Sequence, residues 1–161
     1  MSLVVYAEAS AGSYPGHMVI GQEPAGRGAR YFGFRFDPAD LPDEYRPQDQ
    51  WRKFLLPHAV PGKIVHETAY VAHLLQADAR TYYEKRANCD TPIASRLPPR
   101  NEWQPHAWYS FRPDDSRPGQ EPCYNCVKWA IIVANSLVAG FLVPVDQGRL
   151  KRTLAQLQKR P

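Results

Sequence analysis

Residues 121–140, EPCYNCVKWAIIVANSLVAG, constrain the fold of this chain more than any other stretch. A proline and two cysteines stand just ahead of a long apolar run. Val127, Ala130, Ile131, Ile132, Val133, Ala134, Leu137 and Val138 make a helix at this place apolar nearly all round, and such a helix belongs in the interior. Asn125 is a good N-cap type and Gly140 a good C′ type, which frames the helix from about Cys126 to Ala139. The rest of the chain is therefore expected to pack around a central helix that opens with a cysteine.

The chain has 161 residues, enough for a single domain (1–161) with one sizeable core. Apolar content is 43% and charged content 22%, the balance of an ordinary globular domain. The 16 prolines are about twice the average share and predict long, stiffened loops. The formal charge of +4 is spread among acids with no block of like charges, so no nucleic-acid partner is expected. The opening MSLVVYAEASAGSYPGH lacks a basic region and carries a short apolar run, which predicts no Sec leader. WAIIVANSLVAGFLVPV is interrupted by Asn135, Ser136 and Gly140 and is short for a bilayer, so no stable membrane insertion is expected. Three cysteines do not make a disulfide framework. The expected location is the cytoplasm, or outside the cell by a route that needs no Sec signal peptide.

Strands are predicted at 2–8, 17–22 and 30–37, the last two as a hairpin with a long loop. Residues 38–62 read as a Pro-rich surface excursion with a turn or short helix around DQWRKFLL. KIVHETAYVAHLL (63–75) reads as one long strand and ADARTYYEKRAN (77–88) as a helix capped by Asp78. A further Pro-rich loop (90–106) leads to a strand, AWYSFR (107–112). After the central helix, FLVPV (141–145) reads as a short extended piece. A final amphipathic helix over 146–160, capped by Asp146, places Leu150, Leu154 and Leu157 on one stripe. The order β-β-β-β-α-β-α-α predicts an α+β domain, an antiparallel sheet packed on the buried helix.

A cysteine in the first turn of a helix meets unpaired backbone N–H groups and the positive end of the helix dipole. Both favour thiolate, and the same N–H groups can donate to an oxyanion beside the sulfur. Cys126 can equally be a small buried hydrophobe. A thiolate nucleophile needs a base, usually histidine. His58 and His106 read as exposed loop residues, while His66 and His73 sit on the expected long strand facing opposite sides. His17 follows Gly16 and begins a strand. From the residues alone, His17 and His66 rank equally.

The order SYPGHMVIG…ARYFGFRFD…CYNCVKWA resembles the circularly permuted papain-like cysteine hydrolases. That group includes the permuted relatives of NlpC-type cell-wall peptidases and the lecithin retinol acyltransferase family. In it the histidine comes first, at a strand start after glycine, and the cysteine comes late and opens a buried helix. Gly16-His17 and Asn125-Cys126 match those places, and YFGFRFD resembles the aromatic second strand. The resemblance implies Cys126 as nucleophile and His17 as base. It implies amide or ester cleavage or acyl transfer without metal or cofactor, on a peptide, peptidoglycan-peptide or protein substrate. Small bacterial proteins of this type are often effectors or toxins. A third group should orient the imidazole. If the hairpin closes near residues 22–30, His17 falls opposite residues 35–37, where Asp37 is the acceptor, although an Asp before Pro38 is also a turn residue. His66 is the alternate orienter.

Two other functions compete. One is a non-enzymatic binding module with a papain-like shape. The other is a thiol–disulfide protein using Cys123-x-x-Cys126, a spacing that suits a βα turn, although the surrounding pattern is not βαβ. Zinc would need two more ligands at close spacing, and beyond Cys89 and a histidine no second pair exists.

Overall fold

Three strands come first along the chain: β1 (Ser2–Glu8), β2 (His17–Glu23) and β3 (Arg30–Phe36). They belong to a computed structural model that describes residues 1–10, 16–24, 28–37, 39, 60–76, 81–110, 123–144 and 149–160. β4 (Val60–His66), α1 (Thr68–Leu74) and β5 (Tyr82–Asn88) follow, then 3-10 turns at Ile93–Arg96 and Arg100–Glu102. The chain continues with β6 (Ala107–Tyr109), β7 (Cys123–Tyr124), α2 (Cys126–Leu137), α3 (Leu150–Leu154) and β8 (Gln158–Arg160). Among the described residues eight strands form one sheet in the order β7-β6-β4-β3-β2-β1-β5-β8. Neighbours run antiparallel except β6 and β7, which are parallel. The fold is mixed α+β, and no helix among the described residues is long and apolar enough to cross a membrane.

The continuous apolar run of β1 is explained by burial on both faces. Leu3, Val5 and Ala7 join Met18, Ile20, Phe32 and Phe34 in a core shared with Val127, Ala130, Ile131 and Ala134 of α2. Val4 and Tyr6 turn the other way, to Val19, Tyr31 and the Val71 and Leu74 side chains of α1. Phe34 lies between the rings of Tyr109 (centroids 5.7 Å apart) and Trp129 (6.0 Å), stacked with both. Gly62 of β4 makes room for it, since a Cβ there would overlap the Phe34 ring. Each large apolar side chain buried in this way contributes about 1.5–3 kcal/mol. That exceeds what helix propensity supplies per residue, at most ~0.7 kcal/mol, so packing contributes more to α2 than propensity does.

Three elements differ from the sequence expectation. Residues 63–75 are not one strand: β4 ends at His66, and α1 follows with Val71 and Leu74 inward and Ala72 and His73 outward, a helical spacing. Residues 82–88 form strand β5, not a helix. Both edges of the buried β1 need partners, and that requirement overrides the helix propensity of Glu84, Lys85 and Ala87. The final helix is short. α3 ends at Leu154, and β8 then pairs with β5, with Arg160 Nε donating to Glu84 Oε1 at 2.6 Å. Leu150, Leu154 and Leu157 still pack on the core. Phe141 and Leu142 are buried in a bend clamped by Asn135, whose amide bonds both the N–H and the C=O of Leu142. His58, Asp78, Asp146 and the DQWRKFLL segment lie outside the described residues.

Candidate active site

The β2–β3 ladder pairs Gln22 with Arg30, Gly21 with Tyr31 and Ile20 with Phe32, and ends there. Beyond that point β2 stays with β1 (Glu8 opposite His17, Ala7 opposite Met18), while β3 stays with β4 out to Phe36 opposite Gly62. The first turn of α2 meets the opening between the two strands. One consequence is that the Met18 N–H donates to the Cys126 sulfur. The sheet thus supplies a hydrogen bond to the side chain that starts the helix.

Cys126 is the first residue of α2 and is 7% exposed. Asn125 caps the helix, its Oδ1 accepting from Lys128 N at 2.7 Å. The Lys128 ammonium reaches back to the Cys123 carbonyl (3.2 Å) over the ring of Tyr124, which ties β7 to the helix start. His17 opens β2 after Gly16, whose φ of +81° suits glycine and whose missing Cβ leaves space for the Glu8 carbonyl and Leu150. The imidazole is 4% exposed and rests edge-on against Tyr70. Its Nε2 lies 2.9 Å from Glu67 Oε1. The ring is also hydrogen-bonded to the Cys126 side chain. With Nε2 on the carboxylate, Nδ1 is the atom left to serve the sulfur.

Glu67 sits between the end of β4 and the start of α1 and is 3% exposed. Its N–H bonds the Tyr31 carbonyl at 2.9 Å, and its carboxylate lies over Gly33, where a Cβ would overlap it. Arg35 grips the same carboxylate through Nε (2.6 Å) and a terminal nitrogen (3.1 Å). Tyr109, at the end of β6, completes the cluster. Its hydroxyl donates to the Cys126 sulfur and accepts from the Cys126 N–H.

The electrostatics follow from these contacts. Burial pushes the Cys126 thiol up. The nearby imidazolium and the hydrogen bonds from His17, Met18 N–H and Tyr109 outweigh it, so the pKa falls below the ordinary cysteine value. Burial likewise opposes charge on His17. The negative sulfur and the hydrogen bonds to Cys126 and Glu67 overcome it, against some repulsion from Arg35, and the pKa rises. Burial of Glu67 is overridden by hydrogen bonds from His17 and Arg35, and its carboxyl ionises more readily than usual. All three shifts favour a thiolate–imidazolium pair backed by a carboxylate. Such a pair attacks electrophilic carbon and can return a proton to a leaving group.

Of the residues expected from sequence, His17 and Cys126 are brought together, and Asp37 is not with them. The hairpin closes where expected, with Gln22 opposite Arg30, but the ladder stops at Ile20 and Phe32 because β3 follows β4 away from β2. Extending the observed pairs puts Arg35, not Asp37, opposite His17. Asp37 is instead a turn residue, its Oδ1 accepting from Ala39 N at 2.9 Å and its Oδ2 3.7 Å from Lys63, with the side chain 46% exposed. His66 is exposed and packs on Phe32 and Trp103. His106 is half-buried, edge-on to Phe34, and burial lowers its pKa. Cys89, Cys123 and Cys126 are all free thiols, and among the described residues no three His, Cys, Asp or Glu side chains are placed to hold a metal ion. Glu67, Arg35 and Tyr109 were not expected. Gly33 was the one available signal, because a glycine inside a strand marks a close approach, here that of Glu67. No protein-family model, curated protein or solved structure matches the chain.

Proposed function

We propose that this protein is a cysteine-dependent hydrolase or acyltransferase of permuted papain-like type, acting on an amide or ester carbonyl of a peptide, peptidoglycan-peptide or protein substrate. The observation that carries the reading is the position of His17, whose one ring bonds both the Cys126 side chain and the Glu67 carboxylate. Cys126 thiolate attacks the carbonyl carbon and forms a C–S bond, and the carbonyl electrons move to oxygen. Collapse of that intermediate expels the amine or alkoxide, which takes the proton from His17. Water or another acceptor, deprotonated by His17, then releases the acyl group and restores the thiol pair. Glu67 takes the orienting role that Asp37 was expected to fill.

The reading is tested with p-nitrophenyl acetate. The expected result is one equivalent of nitrophenol released rapidly and one acetyl group on Cys126 by peptide mass mapping. Cys126→Ala should lose the burst, and His17→Ala should slow it by about 100-fold or more. An undiminished burst in Cys126→Ala, or acetylation confined to lysines, would leave the chain as a binding module rather than an enzyme. A Cys123–Cys126 disulfide that forms and reduces reversibly near the thioredoxin potential would favour the thiol–disulfide reading instead.

A further inference from the structure

Tyr109 stands where acyl-transfer chemistry needs a donor. It ends β6, opposite Val60 on one side and Tyr124 on the other, and the Ser110 N–H bonds the Tyr124 carbonyl at 3.0 Å. Tyr124 is two residues from Cys126, so the strand pairing fixes the phenol relative to the helix start. The ring lies flat against Phe34 at 5.7 Å and tilted against Phe36 at 4.9 Å, and the residue is 5% exposed. It cannot swing without breaking that stack. Rotation about the C–O bond, which moves only the hydroxyl hydrogen, remains open to it.

The hydroxyl meets Cys126 at two atoms. The Cys126 N–H donates to the phenol oxygen, and the phenol O–H donates to the sulfur. A hydroxyl has one proton to give and two lone pairs, so both bonds coexist. Accepting the N–H polarises the O–H and makes it a better donor. When the sulfur attacks a carbonyl, its negative charge passes to an oxygen two bonds away. The acceptor that the phenol had is then lost, and a better one appears beside it.

We propose that Tyr109 is a catalytic residue of this site, its O–H transferring its hydrogen bond from the Cys126 thiolate to the oxyanion of the tetrahedral intermediate. This rests on the reading of Cys126 as nucleophile. The phenol proton itself stays on Tyr109 throughout: it turns but is not transferred. Burial and the adjacent sulfur push the Tyr109 pKa well above its ordinary value, so the group remains a donor over the working pH range. Cys126 N–H then acts through the phenol oxygen that it holds in place.

Tyr109→Phe keeps the ring and its stack and removes the donor. Two reactions of the same sulfur separate its roles. Acetylation by p-nitrophenyl acetate passes through an oxyanion, whereas alkylation by iodoacetamide displaces iodide and forms none. Both rates are compared with those of the unaltered protein at a pH where the thiol of each is fully ionised. The expected result is acetylation slowed toward the roughly 100-fold that loss of one oxyanion donor costs, with alkylation within about threefold, as its step lacks that charge. An unchanged ratio of the two rates overturns the proposal, whether both fall together or neither does. If Tyr109→Phe does not fold, 3-fluorotyrosine at position 109 supplies the test. Its more acidic phenol is a stronger donor and should raise acetylation relative to alkylation, and no rise overturns the proposal. A nitrophenol burst retained in Cys126→Ala would instead overturn the nucleophile reading, a result independent of Tyr109.

Discussion

Replacing Glu67 by Gln changes one atom and sets three hydrogen bonds against each other. The carboxylate now takes His17 Nε2 at 2.9 Å and two Arg35 nitrogens at 2.6 and 3.1 Å. Gln offers one acceptor and one donor group. With its oxygen on Arg35, its NH₂ faces Nε2, which can then only accept. The imidazole proton is driven to Nδ1, where the base for Cys126 should be. With the amide turned over, the NH₂ faces the guanidinium instead. Either way the imidazolium loses its carboxylate partner, whose charge-assisted hydrogen bond is worth about 1.5–3 kcal/mol. At ~1.4 kcal/mol per tenfold, acylation should slow by roughly 10- to 150-fold. The thiol pKa should rise by about one to two units, because the imidazolium that stabilises the thiolate is weakened.

The assay is the rate of Cys126 alkylation by iodoacetamide as a function of pH. In the unaltered protein the inflection should lie below the ~8.5 of a free cysteine. Glu67→Gln should move it up, while Asp37→Asn, at an exposed turn position, should leave the curve in place. The refuting result is a Glu67→Gln curve that superimposes on the unaltered one. A shift in Asp37→Asn as large as in Glu67→Gln would return the orienting role to Asp37.

Gly33→Ala should reproduce part of the Glu67 defect without touching a titratable group, because its Cβ overlaps the carboxylate. A loss of about 1–3 kcal/mol in urea unfolding and a raised alkylation inflection are expected, and an unchanged inflection would show that Glu67 does not need its seat. Asn125→Ala removes the cap on Lys128 N and should cost about 1 kcal/mol in the same unfolding assay. The folded-state pKa of Glu67 is depressed, so the stability it contributes is present above its unfolded value of ~4.3 and is lost as pH falls through the folded value. Unfolding free energy measured against pH should therefore decline less steeply on acidification in Glu67→Gln than in the unaltered protein, and parallel curves would contradict the lowered pKa.

The strands and the helix that carry the two central groups were legible because their signals are local. SLVVYAE is a short apolar run of strand character, and Asn125 ahead of an apolar run marks a capped helix. What escaped depends on distant partners. YYEKRAN becomes β5 because β1 has an edge to fill, and nothing within the heptapeptide says so. HETAYVAHLL divides at Glu67, but its β-branched and apolar residues suit a strand as well, and the helical spacing of Val71 and Leu74 covers barely two turns. Reading that stretch as one strand hid the acid that follows the true strand end. Asp37 is not beside His17 although the hairpin has the expected register, because the ladder stops early. A ladder that ran the full length of the hairpin would have brought residues 35–37 beside His17, and the sequence carries no mark of where the ladder stops.

That stopping point explains how the site is assembled. Two strands paired along their whole length would satisfy the Met18 N–H within the sheet and leave no opening for a helix end. Because β3 leaves with β4 after Phe32, the Met18 N–H can bond the sulfur, and the first turn of α2 meets the sheet from one face. From the other face Glu67 lies over Gly33 and reaches the same imidazole. The thiolate and the carboxylate therefore approach His17 from opposite sides of the sheet, each on an element fixed by a separate core. Arg35 tests this balance. It disfavours the imidazolium through space yet holds the carboxylate that favours it, and the His17 pKa still rises. The attraction of the negative sulfur, with the hydrogen bonds to sulfur and carboxylate, thus outweighs burial and the more distant repulsion. A cation at the register position opposite His17 is tolerable because Glu67 bonds both side chains.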